Sequence, residues 1–113
     1  MSDAALKKKA AQIKLLVLDV DGTLTDGGVY IDANGVQSKK FHIRDGMGIT
    51  LLHEKGLPVG ILSHSRSKTI LDERARMLGI ERVYSGKEPK LEVLTRWLLE
   101  LNLTYEQVAY IGD

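Results

Sequence analysis

The chain has 113 residues, of which 43% are apolar and 27% charged, ordinary globular usage that suits one compact domain with its own core. A formal charge of +1 supplies no basic field for nucleic acid or an anionic membrane, the absence of cysteine excludes a disulfide scaffold, and no apolar run approaches the roughly 18 residues of a membrane span. A soluble, cytoplasmic protein without a nucleic-acid or membrane partner is the expectation.

Residues 3–12 read as a short Ala/Lys helix or a frayed arm, with Lys7-Lys8-Lys9 as its solvated face. An apolar strand over 14–19 follows. Gly27-Gly28 then breaks the chain, and the β-prone runs at 29–31 and 36–41 flank Ala33-Asn34-Gly35. Asn-Gly in that setting signals a hairpin, since both residues tolerate positive φ. Asp45 is placed to cap a helix over 46–55, with Met47, Ile49, Leu51 and Leu52 as its apolar face and Gly56 as its stop. Residues 57–63 read as a second buried strand, and Ser67 as the cap of a helix that turns Ile70, Leu71, Ala75 and Leu78 inward before Gly79. A short strand over 82–84 precedes a helix over 89–101 bearing Leu91, Leu94, Leu98 and Leu101, with Trp97 as core or interface. The last strand, Val108 to Ile111, runs into Gly112-Asp113. Alternation of strand and helix predicts an α/β layer around a parallel sheet.

The chemistry is concentrated at Asp19-Val20-Asp21-Gly22-Thr23, where two carboxylates stand at the end of an apolar strand. Two anions this close repel and are costly to desolvate, so the pattern is expected where a cation or a shared proton compensates. Mg²⁺ suits that role, because it prefers carboxylate and carbonyl oxygens together with substrate phosphate. Ligands of such sheets bind beyond the carboxyl ends of the strands. Asp19 and Asp21, Ser63, and Asp113 all follow strands and converge on one edge in this reading.

These residues resemble the signatures of the haloacid dehalogenase superfamily, mostly phosphatases with an aspartate nucleophile and Mg²⁺. Asp19-Val20-Asp21-Gly22-Thr23 is similar to the first signature and Ser63 to the second; Lys90, after Gly86-Lys87-Glu88-Pro89, is similar to the third, and Gly112-Asp113 to the start of the fourth. Within the superfamily, Asp26-Gly27-Gly28-Val29-Tyr30, Asp32-Ala33-Asn34-Gly35 and Phe41-His42-Ile43-Arg44-Asp45-Gly46 resemble the 3-deoxy-D-manno-octulosonate 8-phosphate phosphatases of lipopolysaccharide sugar synthesis.

The resemblance implies a Rossmann-like three-layer sandwich over residues 1–113, with a β-hairpin flap at 28–42 in place of a cap domain. It implies that Asp19 forms an aspartyl-phosphate and that Asp21 serves as acid and then base. Mg²⁺ would be held by Asp19, the backbone carbonyl of Asp21, and Asp113. Ser63 and Lys90 would bind the phosphoryl oxygens. Arg44, His64 and Arg66 are the candidates for contact with a sugar-acid substrate, and Lys40 is a weaker one. The flaps of four subunits meet in the family, which implies a homotetramer.

Two departures stand out. The octulosonate phosphatases usually continue Gly-Arg after the serine, where this chain reads His64-Ser65-Arg66. Their pattern also continues past Gly112-Asp113 with a further acid, more strands and a tail. A fragment, or an incomplete and poorly active form with Val108 to Ile111 at a bare sheet edge, is therefore the expectation. A nonulosonate 9-phosphate is the rival substrate. A receiver-type signalling module and a catalytically silent oligomerisation domain are the rival classes.

Overall fold

A run of branched apolar side chains, Leu15–Leu18, forms the strand that organises the chain. The computed structural model describes residues 2–112. In chain order the elements are α1 (Asp3–Ala11), β1 (Leu15–Leu18), β2 (Tyr30–Ile31), β3 (Gln37–Ser38), α2 (Ile43–Glu54), β4 (Val59–Ser63), α3 (Lys68–Leu78), β5 (Arg82–Ser85), α4 (Lys90–Leu101) and β6 (Val108–Ile111). β1 pairs in parallel with β4 and with β6, and β4 with β5, giving the order β5-β4-β1-β6.

Alternation along the strands sends successive side chains to opposite faces. Ile61 packs with Ile49, Leu71 and Ala75 beneath α2 and α3, whereas Leu15, Val17 and Leu62 pack with Val93, Trp97 and Leu98 of α4. The result is the expected three-layer α/β sandwich. Burial of each large side chain contributes roughly 1.5–3 kcal/mol. Gly60 has a packing reason: a Cβ there would lie 2.9 Å from Trp97 Cζ3, so the missing side chain lets the indole settle on β4.

Several local expectations are corrected. α2 begins at Ile43, because His42 Nδ1 accepts the Arg44 N–H at 3.0 Å and caps the helix; Asp45 sits in the first turn instead. Its buried stripe is Gly46 and Ile49, with Leu52 half-buried, while Met47 and Leu51 face solvent. Ser67 precedes α3 without a capping bond from its side chain. On α4 the inner face is Val93, Trp97 and Leu98, flanked by half-buried Leu94 and Leu101. Leu91, in the first turn of the helix, is exposed. No helix among the described residues is long and apolar enough to cross a membrane.

β2 and β3 form a separate antiparallel hairpin, with Tyr30 opposite Ser38 and Ile31 opposite Gln37. Asp32 Oδ1 accepts from the Asn34 and Val36 N–H groups at 2.8 and 2.9 Å, and this Asx geometry sets the turn. Gly35 alone takes positive φ there, at 79°, so Asn34 does not share the left-handed conformation expected of it. Val29, Tyr30, Ile31 and Val36 are 45–63% exposed.

Candidate active site

β1 delivers Asp19 to the carboxyl edge of the sheet. The Asp19 N–H donates to the Ile111 carbonyl at 3.0 Å, prolonging the β1–β6 ladder, and Asp19 Oδ1 accepts from the Val20 N–H at 2.8 Å. Val20 is fully buried, and its carbonyl gathers the N–H groups of Thr23, Leu24 and Thr25 at 2.8–3.2 Å. Gly22, with φ of 78°, permits that reversal. The buried Thr25 hydroxyl accepts from the Gly22 and Gly27 N–H groups, which ties the turn to the start of the hairpin segment.

Asp21 is thereby set on the rim, its side chain 45% exposed. Lys39 Nζ lies 2.6 Å from Asp21 Oδ1, although the Lys39 side chain is only 6% exposed. The same ammonium donates to Ser65 Oγ at 3.0 Å. Lys39 thus joins the hairpin, the Asp21 turn and the segment after β4.

Ser63 ends β4 almost fully buried, and its Oγ accepts from the Ser65 N–H at 2.9 Å. Lys90 opens α4 with Nζ 3.3 Å from Asp19 Oδ1 and 3.0 Å from the Tyr110 hydroxyl. Burial pulls its pKa down, but the hydrogen bond to Tyr110 and the charge of Asp19 outweigh that, holding Lys90 above the ordinary lysine range. Asp19, Asp21, Ser63 and Lys90 therefore share one sheet edge. Its carboxylate and carbonyl oxygens, in a chain without cysteine, are the donor class of a hard divalent cation.

No family model matches the chain. A 3-deoxy-D-manno-octulosonate 8-phosphate phosphatase from Yersinia pestis is 42% identical over 106 residues, covering 94% of this chain and 56% of that protein. The structure of a phosphatase of that name from Moraxella catarrhalis, in complex with a magnesium ion, a phosphate ion and KDO, matches with a TM-score of 0.91 at 34% identity, covering 99% of this chain and 64% of that one. A proposed HAD superfamily (subfamily III A) hydrolase from Legionella pneumophila matches with a TM-score of 0.92 at 39% identity, covering 97% and 60%. The chain is thus similar, in sequence and in fold, to phosphatases of the haloacid dehalogenase superfamily. It spans little more than half the length of the curated relatives it matches.

The remaining candidates, set out from the superfamily resemblance, are distributed less tightly. Asp113 lies outside the described residues. Among the described residues no cluster of three or more His, Asp or Glu side chains is arranged to hold a metal. Arg66 is exposed and lines a cleft of about 610 Å³ with His64, Lys68 and Lys87. Arg44 lines a different cleft, of about 410 Å³, with Thr25, Asp26 and Lys40. His64 Nε2–H donates to the Glu88 carbonyl at 2.9 Å.

Lys39, Thr25 and Tyr110 are site residues that the sequence does not single out. A period-two signal exists for Lys39. It stands two residues before Phe41, which packs against the α2–α3 core, and both are half-buried, whereas the intervening Lys40 is exposed.

Proposed function

We propose that this chain is the phosphoryl-transfer core of a Mg²⁺-dependent phosphatase that hydrolyses 3-deoxy-D-manno-octulosonate 8-phosphate in lipopolysaccharide biosynthesis, in the cytoplasm. The supporting observation is the convergence of Asp19, Asp21, Ser63 and Lys90 on one edge, in a chain 42% identical to a relative of that name.

Asp19 attacks phosphorus with a carboxylate oxygen as the bond to the sugar oxygen breaks, giving an aspartyl-phosphate. Asp21, two residues on and at the rim, gives a proton to the departing sugar oxygen. It then takes one from the water that hydrolyses the intermediate and frees phosphate. Ser63 and Lys90 hold the phosphoryl oxygens, where the raised pKa of Lys90 keeps its charge in place at neutral pH. Mg²⁺, bound through Asp19, the Asp21 carbonyl and Asp113, supplies charge neutralisation for the acids and the phosphoryl group.

The segment at 28–42 acts as the flap. The exposed Tyr30, Ile31 and Val36 support its meeting equivalent flaps in a homotetramer. Arg44 and Arg66, which line two different clefts, are the proposed contacts for the substrate's sugar-acid end, and His64 lines the cleft of Arg66. His64-Ser65 stands in place of the family's Gly-Arg, and a nonulosonate 9-phosphate is the second reading.

Phosphate release from a panel of sugar phosphates, with and without Mg²⁺, tests this. Octulosonate 8-phosphate is expected to be the best substrate, with turnover lost on chelation. Equal turnover without a divalent cation contradicts the mechanism.

A further inference from the structure

Lys90 carries its charge on a flexible four-carbon stem, so a defined location for the ammonium requires partners. Tyr110, on β6, provides two. Its hydroxyl accepts from Lys90 Nζ at 3.0 Å, and the ammonium stands 5.6 Å from the ring centroid. The ring folds back over Gly112, where a Cβ would lie 2.4 Å from the ring. Glycine at that position is what leaves the ring room to reach Lys90.

The other end of the loop before α4 repeats the device. The Tyr84 ring folds over Gly86, where a Cβ would lie 2.5 Å from its hydroxyl, and that hydroxyl accepts the Glu88 N–H at 2.9 Å. His64 Nε2–H donates to the Glu88 carbonyl, also at 2.9 Å. Both backbone polar groups of Glu88 are thus held by side chains of other segments, two residues before Lys90. Pro89, between them, has its φ restrained by its ring and sits at −55°.

We propose that Tyr110, Tyr84 and His64 are positioning residues for Lys90, fixing its ammonium beside Asp19 before substrate arrives. This rests on the reading of Lys90 as a phosphate-binding residue. A charge already in place stabilises a transferring phosphoryl group without reorganising during the reaction. His64, at the point where the sequence leaves the family's Gly-Arg pattern, serves the loop through Nε2 rather than the sugar.

Inorganic phosphate affinity, measured by calorimetry with Mg²⁺ present, reads the placement of Lys90 without turnover. Tyr110→Phe, which keeps the ring, is expected to weaken phosphate binding about tenfold, and Tyr84→Phe or His64→Ala about threefold, with circular dichroism unchanged. In a Lys90→Met background, Tyr110→Phe is expected to have no further effect. kcat/KM should fall by a common factor on a sugar phosphate and an aryl phosphate, since the phosphoryl group is what they share. Wild-type affinity in Tyr110→Phe, or full additivity with Lys90→Met, overturns the proposal. A loss in His64→Ala confined to the sugar phosphate overturns the role given to His64. An unsubstituted chain that binds no phosphate refutes the phosphatase reading itself, and this inference with it.

Discussion

The carboxyl rim of the sheet and the hairpin beside it are built on opposite principles. At the rim, polar groups find partners within the chain: Asp19 meets Lys90, Asp21 meets Lys39, and Ser63 accepts the Ser65 N–H. In the hairpin the backbone is satisfied by the Asp32 turn, while the apolar side chains of Tyr30, Ile31 and Val36 face outward. Strands of two residues bury too little to be stable alone, so the hairpin depends on its anchor at Lys39. The rim sets up its charges within one chain; the hairpin leaves its apolar side chains exposed.

The sharpest way to break this contrast is Asp19→Asn. Phosphate release should drop to background while circular dichroism and melting stay near those of the unsubstituted chain, because one rim carboxylate is exchanged for an amide of the same shape. Retained turnover would remove Asp19 from its role. Next in size, Gly60→Val drives a side chain into Trp97 and should cost about 1–3 kcal/mol in denaturant unfolding, loosening the layer beneath the rim.

The paired change Tyr30→Ser with Ile31→Ser acts on the other region. Light scattering should show the proposed tetramer reduced to monomers, with the stability of the isolated domain altered by no more than about 0.5 kcal/mol. A tetramer that survives both changes would mean that the hairpin's apolar face is not the contact.

The smallest effect belongs to the surface pair of Glu73 and Arg76. The hydrogen bond from Arg76, and then its charge, holds the Glu73 carboxyl below the usual carboxylate range. A depressed folded pKa contributes stability above the unfolded carboxylate range and loses it as pH falls through the folded value. Both groups are fully exposed, so Arg76→Ala should leave the neutral-pH melting temperature unchanged within error, with any difference disappearing in acid.

Much of this architecture is legible in the sequence. Apolar runs ending in acids or serine locate β1, β4 and β6, and Gly79 closes α3 in the left-handed conformation expected of it. The acids of the rim are legible because two carboxylates at the end of a buried strand call for a compensating cation or proton. Helix beginnings are less so: His42 outcompetes Asp45 as the cap, a choice made by where the hairpin releases the chain. The same dependence hides Lys39. Adjacent lysines are equivalent in composition, and only the path of the chain after β3 buries Lys39 and leaves Lys40 exposed. The clasp on Lys90 joins residues far apart in the chain, and no local spacing announces it.

Acid-quenched mass spectrometry of the chain during turnover of octulosonate 8-phosphate with Mg²⁺ is the most direct test of the central claim. One phosphoryl group should be found on the peptide containing Asp19, absent after chelation and absent in Asp19→Asn. Phosphate released at an undiminished rate by Asp19→Asn, with no adduct on that peptide in either protein, would contradict it.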